Sequence, residues 1–94
     1  MEIIWRQTAL NDLENIREFI DQDNPEAAAR VRAAIAGGVE KLANFPNLGR
    51  SGRVDGTREL VVAHLPYIVV YRVAENRVRI LAVFHGSQQW PNRF

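Results

Sequence analysis

The spacing of apolar residues changes as the chain proceeds. Glu2 to Arg6 (EIIWR) reads as a short strand. Leu10, Leu13, Ile16, Phe19 and Ile20 then fall three and four apart, which predicts an amphipathic helix to about Gln22. Thr8 is its expected N-cap, with Asp12 in the first turn complementing the helix dipole. Asn24-Pro25-Glu26 restarts the chain as a helix: a cap, a proline at the first helical position, then an acid. Ala28, Val31, Ile35, Val39, Leu42 and Phe45 form the expected buried stripe of this longer helix, which Pro46 ends. Glycine inside a helix costs about 1 kcal/mol relative to alanine. The Gly37-Gly38 pair is therefore expected to serve close packing against the first helix.

Beyond Pro46 the pattern is that of strands. Residues 47–56 (NLGRSGRVDG) form a loop, and strands are predicted over 57–63, 67–73 and 77–84. Leu65-Pro66 and Glu75-Asn76 supply turns too short for anything but antiparallel neighbours. The reading is one α+β domain over residues 1–94. A short N-terminal strand and a two-helix hairpin precede a three-stranded antiparallel meander, with the helices on one face of the sheet.

The middle strand is apolar on both faces, and such a strand must be covered on both sides. If Tyr67, Val69, Tyr71 and Val73 face the helices, Ile68, Val70 and Arg72 face away. On the last strand, Leu81 and Val83 are assigned to that same open side, flanked by Arg79 and His85. Apolar residues rimmed by arginine suit a partner-binding surface. The alternative is that the chain's own loop or tail covers this face.

Composition narrows the classes. Apolar residues at 47% and charged residues at 24% are ordinary for a soluble globular protein. The absence of cysteine excludes a disulfide framework and a thiolate metal site. MEIIWRQ lacks a basic stretch followed by a long apolar run, so no signal peptide is expected, and no apolar run approaches bilayer length. A cytoplasmic protein without membrane contact is the expectation. The net charge of +1 conceals an asymmetry. Residues 1–49 hold eight acids against five bases, whereas residues 50–94 hold seven arginines against Asp55, Glu59 and Glu75. The sheet half therefore favours an acidic partner or nucleic acid. A single lysine among twelve basic residues, with abundant alanine, also fits a GC-rich genome.

Little chemistry is spelled out. His64 and His85 are the only histidines, and three or four metal ligands cannot be assembled around them. No metal or cofactor is expected. Histidine is a common general acid or base, and His85 at the end of the last strand is a candidate, although capping a strand edge is the simpler role. Gly49-Arg50-Ser51-Gly52-Arg53 follows a helix and lacks the GK[ST] ending, so it is not a nucleotide-binding P-loop. In the polar segment from Gly86 to Phe94, Trp90 is either an interaction hot spot or a lid on the core.

The segments GRSGRVDGTRELVV, PYIVVYRV and VRILAVFHGSQQWP, in this order of elements, resemble the RelE/ParE superfamily of bacterial toxins. Those are the toxin halves of type II toxin–antitoxin, or plasmid stabilisation, modules. The likeness spans nearly the whole chain. It implies a cognate antitoxin, acidic and folding as it binds, on Ile68, Val70, Arg72, Leu81 and Val83. RelE-like members cut messenger RNA on the ribosome; ParE-like members poison DNA gyrase. Where the ribonucleases carry an arginine, an arginine and a tyrosine, this chain has Ile68, Gln88 and Phe94, and Lys41 is its sole lysine. RNA cleavage needs a base, an acid and stabilisation of phosphate charge. The resemblance thus implies a gyrase inhibitor of the ParE-like branch, with Arg58, His85 and Trp90 as candidate target contacts. It implies no catalytic residues and no sequence-specific DNA binding. The alternative is a ribosome-dependent endoribonuclease using His85, and a second is a non-toxic binding module.

Overall fold

The computed structural model describes residues 1–87 of the 94. In chain order it contains β1 (Glu2–Trp5), α1 (Gln7–Asp21), α2 (Pro25–Glu40), a 3-10 turn (Lys41–Ala43), β2 (Arg50–Ser51), β3 (Arg58–Val61), β4 (Tyr67–Ala74) and β5 (Arg77–His85). The strands form one five-stranded sheet in the order β1-β5-β4-β3-β2, with β1 parallel to β5 and all other neighbours antiparallel. The expected α+β architecture is thus present, with the expected N-terminal strand β1 at one edge of the sheet and the two-residue β2, inside the predicted loop, at the other.

One core lies between sheet and helices. Leu13, Ile35, Val39 and Leu42 from the helical layer meet Val69, Tyr71, Val78, Ile80 and Val83 from the sheet, all at most 5% exposed. Asn24 caps α2 as expected, its side-chain oxygen accepting from the Ala27 amide at 3.1 Å. Asn76 follows Glu75 at the tip of the β4–β5 hairpin, and both have positive φ, 55° and 62°. That is the geometry of a type I′ turn, whose twist matches that of the strands it joins.

Several local expectations are corrected. Thr8 lies inside α1, and its hydroxyl donates to the Leu81 carbonyl at 3.1 Å. Asp12 lies beyond the first turn, and its carboxylate accepts from the Val83 amide at 3.1 Å. The two side chains share one task. β1 pairs with β5 only from Arg77 to Ile80, so α1 supplies partners to the outer edge of β5 beyond that point. Leu10 and Phe19, part of the apolar spacing that predicts α1, are 42% and 72% exposed. Phe45, assigned to the buried stripe of α2, lies past the helix end and is 63% exposed. Gly38 faces Leu60 of β3, where an added Cβ would sit 3.6 Å from Cδ2, and Gly37 has no neighbour within 4 Å. The glycine pair therefore does not serve helix–helix packing.

Candidate partner-binding surface

Cross-strand register assigns the faces. Residues directly opposite one another in antiparallel strands share a face. Tyr67, Val69, Tyr71 and Val73 point toward the helices as expected, and Ile68, Val70 and Arg72 point away. The β5 assignments fail at one bulge. Val70 pairs with Ala82 but Tyr71 pairs with Ile80, leaving Leu81 as an extra residue. The extra residue reverses the alternation beyond it. Leu81 keeps the open-face position expected of it, whereas Val83 joins the helix-side core and Ala82 and Phe84 replace it on the open face. An unbroken apolar run from Ile80 to Phe84 offers no sign of such a bulge, so the sequence could not place it.

The open-face cluster of Ile68, Val70, Leu81, Ala82 and Phe84 is no more than 7% exposed, and Val70 is fully buried. The expectation of a bare apolar face is corrected accordingly. The bulge places Leu81 and Ala82 both on this face, in one cluster with Val70. What this face presents instead is arginine. Arg72 and Arg79 sit directly opposite each other on β4 and β5, both exposed. Arg77 lies two residues along β5 on the same face and pairs with Glu2 at 3.3 Å. Across the sheet, Arg50 of β2 pairs with Glu59 of β3 at 3.1 Å. The Glu59 carboxylate is 2% exposed and also accepts from the Arg53 amide at 2.9 Å, so it anchors the basic loop to the sheet.

Arg58 and His85 lie on the helix side. Arg58 is half-buried and donates to the Gly49 carbonyl at 2.8 Å, holding the segment before β2. Tyr71 holds the same segment: its hydroxyl accepts from the Gly49 amide and donates to the Pro46 carbonyl, both at 2.8 Å. Burial pushes the Tyr71 phenol up from its ordinary value, with the Gly49 bond and Arg58 acting against that. His85, expected on the open face, pairs with Tyr67 on the other side of the sheet, again because of the bulge. Its ring stands edge-on to Tyr67 at 5.5 Å, and its Nδ1 accepts from the Ser87 amide at 3.1 Å. With Asn15, Ile16 and Phe19 of α1 these two rings line a groove of about 390 Å³. Trp90, Gln88 and Phe94 lie outside the described residues.

The geometry defines a small α+β protein with helices on one sheet face and a basic strip on the other. Comparison with known proteins gives its family. The family described as the ParE toxin of type II toxin–antitoxin systems (parDE) matches residues 3–90. The chain is 49% identical to Y4kP of Sinorhizobium fredii, to which a toxin role is ascribed, over 95% of this chain and 92% of that one. It is 36% identical to toxin RelE2 of Caulobacter vibrioides, over 93% of this chain and 97% of that one. Among solved structures, the chromosomal ParDE toxin–antitoxin system of P. aeruginosa superposes with a TM-score of 0.82 at 26% identity, covering 90% of this chain and 95% of that one. The toxin–antitoxin complex RelBE2 of Mycobacterium tuberculosis shares the fold, with a TM-score of 0.65 at 24% identity over 89% and 95% of the two chains. The chain belongs to the ParE toxin family of type II toxin–antitoxin systems.

Proposed function

We propose that this toxin inhibits DNA gyrase in the cytoplasm and is neutralised by a cognate acidic antitoxin that folds as it binds. The observation that carries the reading is Ile68. At the position where the ribonuclease branch is expected to hold an arginine, this chain has an aliphatic side chain only 7% exposed, packed among Val70, Leu81, Ala82 and Phe84. It can neither move a proton nor stabilise phosphate charge. His85 faces α1, across the sheet from Arg72 and Arg79, so the open face offers no histidine beside its arginines.

Membership of the ParE toxin family and the likeness to the P. aeruginosa ParDE toxin–antitoxin system support the antitoxin partner. On the antitoxin surface, Arg72 is the accessible residue, whereas Ile68, Val70 and Leu81 are at most 7% exposed. Arg58 acts on the target indirectly, by shaping the Gly49 segment. The test is a supercoiling assay with purified gyrase beside a cleavage assay on ribosome-bound messenger RNA. Loss of supercoiling or accumulation of cleaved DNA, with the message intact, is the expected pair of results. Codon-specific cleavage with supercoiling unaffected overturns the reading in favour of a ribonuclease.

A further inference from the structure

We propose that the arginines of the open sheet face, centred on the opposed pair Arg72 and Arg79, bind the phosphate backbone of duplex DNA without reading its sequence. The inference rests on the gyrase reading, where DNA is already present on the target, and concerns the toxin free of the antitoxin that would otherwise occupy Arg72.

Like charges placed directly opposite on adjacent strands repel, and nothing in the described fold relieves this pair. Among the described residues neither Arg72 nor Arg79 has a carboxylate within ion-pair distance, whereas the neighbouring Arg77 and Arg50 each have one. Register places both arginines on one side of the sheet, where both are exposed and the Arg72 side chain runs beside Gly56. Such a pair is a ready seat for an anion, and guanidinium groups match phosphate oxygens with two parallel hydrogen bonds.

The surroundings indicate a polyanion rather than a lone carboxylate. Arg77 extends the basic strip along β5, about 7 Å from Arg79 at the usual rise of a strand. Arg50, with 58% of its side chain exposed, continues it across the sheet. Glu59 beside Arg50 is buried and Glu2 is matched by Arg77, so the strip as a whole stays positive. The opposite layer carries the reverse sign: α1 and the residues just after it hold Asp12, Glu14, Glu18, Asp21 and Asp23 against Arg17. A chain polarised in this way presents its sheet face, not its helices, to a negatively charged rod. The contacts come from arginines on two long strands, and among the described residues no element stands beside them to enter a groove, so they position the protein on DNA without specifying bases.

The experiment measures binding of the purified chain to a fluorescent 20-base-pair DNA duplex between 50 and 200 mM salt. Each phosphate contact contributes about 0.9 to the slope of log affinity against log salt. Arg72→Gln/Arg79→Gln is expected to lower that slope by about 1.8 and to weaken binding at 50 mM salt at least tenfold. Arg32→Gln, on the exposed side of α2, should leave both unchanged. Absence of duplex binding at 50 mM salt overturns the inference, as does an unchanged slope in a double variant whose melting temperature shows it folded. Binding confined to an RNA duplex of the same sequence also overturns it. The gyrase reading fails separately: duplex binding that depends on Arg72 and Arg79 without any effect on supercoiling leaves the DNA site standing and removes its proposed target.

Discussion

The hydroxyl of Tyr71 lies 2.8 Å from the amide nitrogen of Gly49, twenty-two residues earlier in the chain. The same oxygen donates to the Pro46 carbonyl, so one side chain of the central strand satisfies two backbone groups of the segment leading into β2. Gly49 is glycine because of this contact. An added Cβ would stand 2.7 Å from both the hydroxyl and Cε1 of Tyr71 and 2.9 Å from the Glu59 carbonyl. Arg58 and Glu59 tie down the rest of the loop, so the basic segment at residues 49–53 is built onto the sheet rather than trailing from it.

Tyr71→Phe should therefore destabilise the fold by about 1–3 kcal/mol, the usual penalty for buried polar groups left unpaired. Gly49→Ala should cost a similar amount, about 1–3 kcal/mol, through overpacking. Denaturant unfolding of both variants checks this. The phenol also has a pH signature. Its folded-state value is raised, so its contribution is fully present below the ordinary value near 10 and is lost as pH rises through the folded value. Tyr71→Phe should abolish that part of the alkaline loss of stability.

The architecture was legible because its signals are local. The Asn24-Pro25 start, the short turns and the alternation along β4 each act within a few residues. What the sequence concealed arises from distant partners. Thr8 and Asp12 look like helix-start residues, yet they bond the β5 backbone more than seventy positions away. The bulge at Leu81 reverses every later side chain of β5, which moved Val83 and His85 to the helix side and brought Phe84 to the other. Apolar residues on both sides of β5 removed the contrast that would have marked it. The doubly apolar pattern of β4 required cover on both faces, but periodicity does not report whether the chain or a partner supplies it, and Ile68 and Val70 are buried in the chain alone.

That burial gives a contrast within one face of the sheet. Val70 and Val61 both point away from the helices, but Val70 has no exposure and Val61 is 50% exposed. An unpaired carboxylate in a buried site is strongly unfavourable. Val70→Glu should lower stability by about 3–5 kcal/mol, the range for an uncompensated buried charge. Val61→Glu should change it by no more than about 0.5 kcal/mol, as exposed substitutions usually do. Equal melting temperatures for the two variants would show that the open face is bare after all.

Glu75 offers a gain in stability. It adopts φ 55° in the β4–β5 turn, a left-handed conformation that asparagine tolerates better than glutamate. Glu75→Asn is expected to stabilise the fold by up to about 1 kcal/mol, measured as a rise in denaturation midpoint. Glu75→Val, β-branched at the same position, should do the opposite. A midpoint unchanged in both would mean that the turn relaxes without strain.

His85 separates the two toxic mechanisms. Its Nδ1 accepts from the Ser87 amide, which leaves the proton of the neutral ring on Nε2, and its ring rests against Tyr67 beside α1. A general acid or base contributes about 10²–10⁴-fold to the step it serves. If His85 served RNA cleavage, His85→Ala would remove cleavage by that factor while barely altering target affinity. In a gyrase inhibitor the same change removes one ring from the groove formed with Asn15, Ile16 and Phe19. Inhibition should then weaken by about tenfold at most, the effect of roughly 1.4 kcal/mol of lost contact. Titrating gyrase supercoiling with the wild-type chain and the variant decides between a contact and a catalyst. A message cut within ribosome-bound codons, with cutting abolished in His85→Ala, would overturn the gyrase assignment and make His85 the catalytic residue despite its place beside the helix.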